Sequence, residues 1–295
     1  MSAEPQITRF APSPTGLLHL GHAFAALVAF DAARGGKFLV RIEDTDTARV
    51  RPEFEQAIFD DLHWLGFSWE EPVMRQSERA DAYGRAITIL RGKDLLYPCF
   101  CSRKEVEAEF RASISAPHGG QMGPDGPLYP GTCKRLSTDE TDARMDAGEE
   151  YAMRLHIDRA IAMAPRDMDF QERGAGPSGE TGTIMVNPGV FGDAVLSRKG
   201  AVASYHLAVV VDDAVQAIGC VTRGNDLFPS AHLHRLLQAL LDLPTPDYLH
   251  HELILDEEGR RLAKRHEALS LQHLREIGET PQSIRETLPE LPEVC

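Results

Sequence analysis

Hydrophobic positions fall into short, dense runs parted by turns rich in proline and glycine, and early in the chain these runs alternate in character. Residues 7–11 are a compact apolar stretch that enters a turn punctuated by Pro12, Pro14 and Gly16. Residues 21–34 then read as an apolar, alanine-rich helix, stopped by Gly35-Gly36. Residues 37–42 predict a second, largely buried strand. Helices are expected over 52–65, with Pro52 at a permitted first position and Gly66 as the stop, and over 79–90. The order β-α-β-α predicts the first half of a doubly wound parallel sheet.

Between Cys99 and about Val190 glycine and proline become dense and helical periodicity is short-lived. The expectation is an inserted module with long loops, a helix over 102–112, a strand over 151–157 and a surface loop over 174–182. Regular alternation returns at 204–213, read as a buried strand or helix–strand junction, followed by a strand over 216–222. Residues 230–243 predict an amphipathic helix capped by Ser230 and ended by Pro244. A short strand is expected over 252–255, then a turn at 256–259 and the densest positive patch of the chain, Arg260 to His266. The fold class is therefore α/β, a doubly wound parallel sheet with an inserted module and a short, mostly helical C-terminal region. The expected division is 1–98 and 190–245 for the two halves of a nucleotide-binding catalytic domain, 99–189 for the insertion, and 246–295 for a basic loop and helical tail.

Composition narrows what such a fold can do. At 295 residues the chain can bury a substantial core. Its 31 basic and 45 acidic residues leave a net charge of −14, which excludes a general nucleic-acid binder held by phosphate attraction. Any nucleic acid must be held by local patches, with moderate, salt-sensitive affinity. The five cysteines include Cys99-x-Cys101 and come with no signal peptide, so they are expected to be reduced thiols or metal ligands in a cytoplasmic protein. No apolar run approaches bilayer length, so no membrane span is expected.

Strand, tight turn and helix start, with His19 and His22 where the helix begins, is how α/β folds present a phosphate site. Unpaired N–H groups and the positive end of the helix dipole face the anion there. The histidines are three apart and can share a face of the first turn. Glu43, at the end of the second strand, and Arg223, at the end of the 216–222 strand, fall on the same carboxyl-end rim where open α/β sheets bind ligands.

These residues carry a resemblance. Pro12 to His22, with His19-Leu20-Gly21-His22, and Arg261-Leu262-Ala263-Lys264-Arg265 resemble the two signatures of class I aminoacyl-tRNA synthetases. Arg9 to Gly16, Arg41 to Asp46, Tyr205-His206 with Val211-Asp212-Asp213, and Arg223-Gly224 look like the glutamyl/glutaminyl branch, over most of the chain from Gln6 to about Arg275. Only 30 residues follow Arg265, so the large anticodon-binding region of that branch is not expected. With Cys99-x-Cys101 and Tyr129-x-x-x-Cys133, the chain is similar to the glutamyl-Q tRNA(Asp) synthetase family, which activates glutamate and attaches it to the queuosine base at the wobble position of tRNA(Asp).

The resemblance implies a Rossmann-like core and roles for single residues. His19 and His22 would serve the ATP phosphates and Lys264 the departing pyrophosphate, with Mg²⁺ as charge partner; Ala263 stands where the family signature usually has serine. Arg9 and Arg223 would meet the two carboxylates of glutamate, in either assignment, while Glu43 suits its ammonium. The Tyr205 hydroxyl would bond the ligand, and Ala11 and Ser13 would line the pocket. Cys99, Cys101 and Cys133 are a soft ligand set suited to structural Zn²⁺. The resemblance supplies Tyr129 as fourth ligand, and His118 is the conventional rival. The partners implied are L-glutamate, ATP and tRNA(Asp) carrying queuosine, with no membrane and a monomeric chain. The rival readings are an ordinary glutamyl-tRNA synthetase catalytic domain, a nucleotidylyltransferase using the same helix-start histidines, and a silent amino-acid-binding paralogue.

Overall fold

Strand β1 (Ile7–Phe10) leads through the proline-rich turn into helix α1 (Leu20–Ala32), and β2 (Lys37–Ile42) pairs parallel to β1 with Thr8 opposite Phe38. The computed structural model describes residues 5–113, 121–255 and 270–292. Helix α1 lies close on the sheet because its buried face is mostly alanine (Ala23, Ala26, Ala29, Ala32), and the Thr8 hydroxyl reaches across to donate to the Ala29 carbonyl at 2.6 Å. Helix α2 (Pro52–Trp64), the short strand β3 (Met74–Arg75), parallel to β2, and α3 (Ala80–Gly92) follow.

The middle of the chain contains β4 (Leu96–Cys99), α4 (Arg103–Ser113), the hairpin β5 (Met122–Gly123) and β6 (Gly126–Pro127), α5 (Thr138–Asp146), β7 (Ala152–Leu155), α6 (Ile157–Met163), β8 (Asp169–Glu172), β9 (Gly182–Met185) and β10 (Val195–Ser197). Strands β10, β7 and β4 make a separate antiparallel sheet. The chain then forms α7 (Tyr205–Val215), β11 (Cys220–Gly224), α8 (Phe228–Leu240), β12 (Asp247–His251), α9 (Leu271–Glu276) and α10 (Pro281–Thr287).

Two parallel groups build the main layer, β3-β2-β1 and β11-β12-β8, the latter extended by antiparallel β9. They meet along β1 and β11, where the Gly219 N–H donates to the Ile7 carbonyl at 2.9 Å and Arg9 Nη1 donates to the Thr222 carbonyl at 3.2 Å. From β1 the chain crosses over to β2 on one side; from β11 it crosses to β12 on the other. The crevice beyond the ends of β1 and β11 is thus a topological switch point, the place where open parallel sheets take ligands. Among the described residues no helix is long and apolar enough to cross a membrane.

Four local expectations are corrected. Residues 205–213 are helix, within α7, with Ser204 as its extended N-cap, and every residue from His206 to Asp213 is buried. A helix buried all round loses its 3.6-residue periodicity and reads like a buried strand. The strand expected from 216 starts only at Cys220, because the helix exit occupies the intervening residues, with Ala217 left-handed at φ 52° and the Ile218 N–H closing on the Asp213 carbonyl. Helix α8 begins at Phe228 with proline in its first turn, so Ser230 is a buried interior residue and not the cap. The strand expected at 252–255 lies earlier, at Asp247–His251, where buried His250 pairs with Glu172, a partner that local sequence does not reveal, and buried His251 bonds the neighbouring Glu252 carbonyl. Strands β8 and β9, from within the 99–189 stretch, extend the main sheet.

Candidate active site

The turn after β1 is tied to the end of β2, since the Glu43 N–H donates to the Pro12 carbonyl at 3.0 Å. This brings Ala11 and Ser13 beside Glu43. The turn ends at His19, which caps α1: its Nδ1 accepts from the Gly21 N–H at 3.1 Å, and His22 Nδ1 accepts from the His19 N–H at 3.1 Å. A neutral imidazole that accepts on Nδ1 carries its proton on Nε2, so each ring presents Nε2–H as a donor. The ring centroids are 3.8 Å apart. A Cβ at Gly21 would stand 3.0 Å from His19 Cε1, so a larger residue there would crowd the ring. Ser270 bridges to His19, and the Leu271 N–H donates to the Leu18 carbonyl at 2.8 Å. Lys264 lies outside the described residues, as does His118.

Behind the turn lies a buried charge network. Arg9 Nε and Nη2 grip Asp213 at 2.8 and 3.3 Å, and Arg41 Nη1 reaches the same carboxylate at 2.6 Å. Arg41, fully buried, also donates to Glu43 at 3.3 Å and to Gln216 at 3.0 Å. Burial acts to raise the Asp213 carboxyl, but Arg9 and Arg41 outweigh it and hold it below the ordinary range. For Glu43 burial wins, and its carboxyl is pushed up despite Arg41 and Arg9. Three of the five N–H groups of Arg9 are engaged by this network and by the Thr222 carbonyl.

Arg223 closes the other side. It leaves the end of β11 buried, with Nε on His250 Nε2 at 3.0 Å, Nη1 on His234 Nδ1 at 3.2 Å and on the Tyr205 hydroxyl at 3.5 Å. Its Nη2 is buried with no hydrogen-bond partner among the described residues. Burial raises the Tyr205 hydroxyl, opposed by Arg223 and Arg9, with Glu43 acting alongside burial. Arg9, Glu43, Tyr205 and Arg223 are thus close enough to act on one another. A cation with an unused buried donor, a carboxylate and a hydroxyl can together hold a small zwitterion carrying extra negative charge.

In the middle region Cys99, Cys101 and Cys133 bring their sulfurs within 4.8 Å of one another. Cys101 Sγ is 3.4 Å from Cys133 Sγ and 3.4 Å from the Tyr129 hydroxyl, which accepts from the Cys133 N–H at 2.8 Å. Tetrahedral zinc with about 2.3 Å bonds to sulfur spaces its ligands a little under 4 Å apart, so this set fits such an ion with little movement. Burial pushes the Cys101 thiol up to about 12, while the Tyr129 hydroxyl and the Phe100 N–H hold Cys133 below its ordinary value against burial. A cavity of about 630 Å³ runs from Cys101 and Tyr129 past the β5–β6 hairpin to Tyr205, lined by Arg103, Arg154, Arg198 and Lys199. Among the described residues it meets the Arg9–Glu43 cluster only through Tyr205.

Sequence reasoning gave no role to Arg41, Asp213, His234, His250 or Glu172, which organise the cluster. Arg41, a cation inside an apolar strand, and Asp213, within Val211-Asp212-Asp213, are the visible signals; the histidines gain meaning only from partners far away in the chain.

The pattern of the family described as tRNA synthetases class I (E and Q), catalytic domain, matches residues 6–291. Among curated relatives, a Glutamyl-Q tRNA(Asp) synthetase of Rhodobacter capsulatus is 46% identical over 95% of this chain and 98% of its own length. One of Symbiobacterium thermophilum is 41% identical over 94% and 83%. A crystal structure of glutamate-tRNA synthetase from Elizabethkingia anophelis superposes with a TM-score of 0.71 at 28% identity, covering 94% of this chain; this chain spans 54% of that one. The chain belongs to the class I tRNA synthetases of the glutamate and glutamine branch, a family of ligases, and within it to the glutamyl-Q tRNA(Asp) synthetases.

Proposed function

We propose that the chain activates L-glutamate with ATP to glutamyl-adenylate and transfers the glutamyl group to the queuosine base at the wobble position of tRNA(Asp). What supports activation is the meeting at one switch point of the Arg9, Glu43, Tyr205 and Arg223 cluster with the helix start that carries His19 and His22. The glutamate α-carboxylate is ionised at neutral pH and needs no base. Its oxygen bonds to the α-phosphorus while the bond from that phosphorus to the bridging oxygen breaks, and pyrophosphate leaves with the electron pair.

In this reading the enzyme positions the reactants and stabilises charge on phosphoryl oxygens. His19 and His22 donate from Nε2 to phosphate oxygens and the α1 N-terminus adds its dipole. Lys264, six residues before the Ser270 that bridges to His19, accompanies the pyrophosphate. Mg²⁺ supplied with ATP neutralises phosphate charge. Arg223 takes one carboxylate of glutamate through Nη2, Arg9 the other, Glu43 the ammonium and Tyr205 a hydrogen bond, with Ala11 and Ser13 lining the turn. The acceptor then displaces AMP from the adenylate, and the basic cavity that opens beside Tyr205 suits an RNA nucleotide there. Zinc held by Cys99, Cys101, Cys133 and Tyr129 would serve as a cross-link, with no part in either chemical step.

The acceptor reading draws its support from the relatives of matching length. The deciding experiment is glutamate-dependent exchange of pyrophosphate into ATP without tRNA, followed by transfer to tRNA(Asp) with and without queuosine. Exchange and queuosine-dependent transfer are the expected results. Exchange driven by another amino acid would end the glutamate claim, and charging of tRNA(Glu) or of queuosine-free tRNA(Asp) would end the base-modification claim.

A further inference from the structure

Arg223 sits in the middle of a chain of imidazoles that ends on two carboxylates. On one side it donates to His250 Nε2, and His250 Nδ1 is 2.5 Å from Glu172 Oε2. On the other it donates to His234 Nδ1; His234 Nε2 lies 3.0 Å from His206 Nδ1, and His206 Nε2 lies 2.7 Å from Asp125 Oδ2. The proton order has one solution. A guanidinium only donates, so His234 accepts on Nδ1 and carries its proton on Nε2; His206 must then accept on Nδ1 and donate from Nε2 to the carboxylate. Every hydrogen bond points outward from the cation, and each ring has one proton to place.

The two ends differ. Glu172 is buried in the main sheet, whereas Asp125 stands on the turn of the β5–β6 hairpin with its side chain 61% exposed. His206, the link to it, is buried against Phe191 and Tyr205. The bond to His206 holds the Asp125 carboxyl below its usual value, in keeping with an ionised acceptor.

We propose that Asp125 is a positioning residue for the acidic amino-acid site. Acting through His206 and His234, it fixes the rotation of the Arg223 guanidinium so that Nη1 is spent on the protein and Nη2 is left without a partner among the described residues, for a carboxylate to take. This rests on Arg223 binding a glutamate carboxylate. The hairpin thereby sets amino-acid affinity through the relay.

The test is the exchange assay on the full chain, titrating glutamate and ATP separately. Asp125→Ala, an exposed change that leaves the core intact, is expected to raise KM for glutamate on the order of tenfold, the worth of one charge-assisted hydrogen bond, with KM for ATP unmoved. His206→Leu should do the same. His206→Gln, whose amide can accept from His234 and donate to Asp125 in the same order, should restore most of the affinity. An unchanged glutamate KM in Asp125→Ala, or an equal rise in both KM values, overturns the proposal. Arg223→Lys separates the two claims. A sharp rise there with none in Asp125→Ala removes only the relay, while no rise there removes the carboxylate role of Arg223 and the relay with it.

Discussion

The switch-point cluster and the cysteine module are held together by different means. Around Arg9, Arg41 and Asp213 the charges are buried, mutually paired and flanked by the two largest apolar cores of the molecule. Around Cys99 and Cys133 the buried core reduces to those two thiols and Phe100, and helix α5 buries no side chain at all. The first region can be organised by folding alone. The second has a small apolar core, and its three sulfurs lie close enough together to hold an ion. A pre-organised electrostatic site needs a large core behind it, whereas a module that only presents a surface can rely on an ion.

The sharpest way to break the contrast is to remove the hub of the first region. Asp213→Ala leaves Arg9 buried without its carboxylate partner and Arg41 with Glu43 alone, and the expected loss is about 3–5 kcal/mol, read as a lower midpoint in urea unfolding. A loss below about 1 kcal/mol would mean that the network behaves like a surface ion pair. Next in size, His22→Ala removes a donor from the proposed phosphate site and should lower kcat of glutamate-dependent exchange about a hundredfold with the urea midpoint nearly unchanged. Intact exchange would show that the helix start is only a cap.

The second region predicts a different pattern. As purified, the chain should carry one zinc per chain, and stripping it with a chelator should loosen 96–155 in hydrogen exchange while β1, β2 and β11 stay protected. Measured at saturating glutamate, exchange should then change by less than about threefold, since among the described residues the thiols have no hydrogen bond to the Arg9–Arg41–Asp213 network. Any loosening of the hairpin that carries Asp125 should appear in the glutamate KM alone. Transfer to tRNA should fall on the order of tenfold or more as the module loosens. A metal-free, fully active protein would remove the cross-link from the account.

The same contrast governs what could be read from the chain alone. The Arg9 to His22 turn, the β-α-β-α opening and the cysteine spacing are local patterns, and local patterns survive in sequence. Helix α7 was misread because burial on all sides erases its periodicity. Strand β12 was misplaced because its histidines look polar until Glu172 and Arg223, both distant in sequence, are seen to pair with His250. Asp213 stood in a recognisable motif, but its role as a double acceptor needed the meeting of β1, β2 and α7. Partnerships that depend on long-range pairing were hidden, whereas the placement of a turn and a helix start was not.

Asp61 gives the finest cut, because it is as buried as Asp213 yet poorly paired. Both carboxylate oxygens lack hydrogen bonds among the described residues, and the nearest cation, Arg275, stands 3.4 Å away and partly exposed. Burial therefore pushes the Asp61 carboxyl up to about 7, where Asp213 is held low. A carboxyl raised in the folded state binds its proton more tightly there than in the unfolded chain, so its contribution to stability is full below about pH 4 and is lost as pH rises through 7. Asp61→Asn abolishes that dependence. Because the amide still leaves polar atoms unpaired and gives up Arg275, the net gain at pH 8 should be only about 1 kcal/mol, shrinking to nothing near pH 5. Stability curves of the two proteins that ran parallel from pH 5 to 8 would mean that Arg275 pairs Asp61 as fully as Arg9 and Arg41 pair Asp213, and burial without pairing would cease to explain the difference.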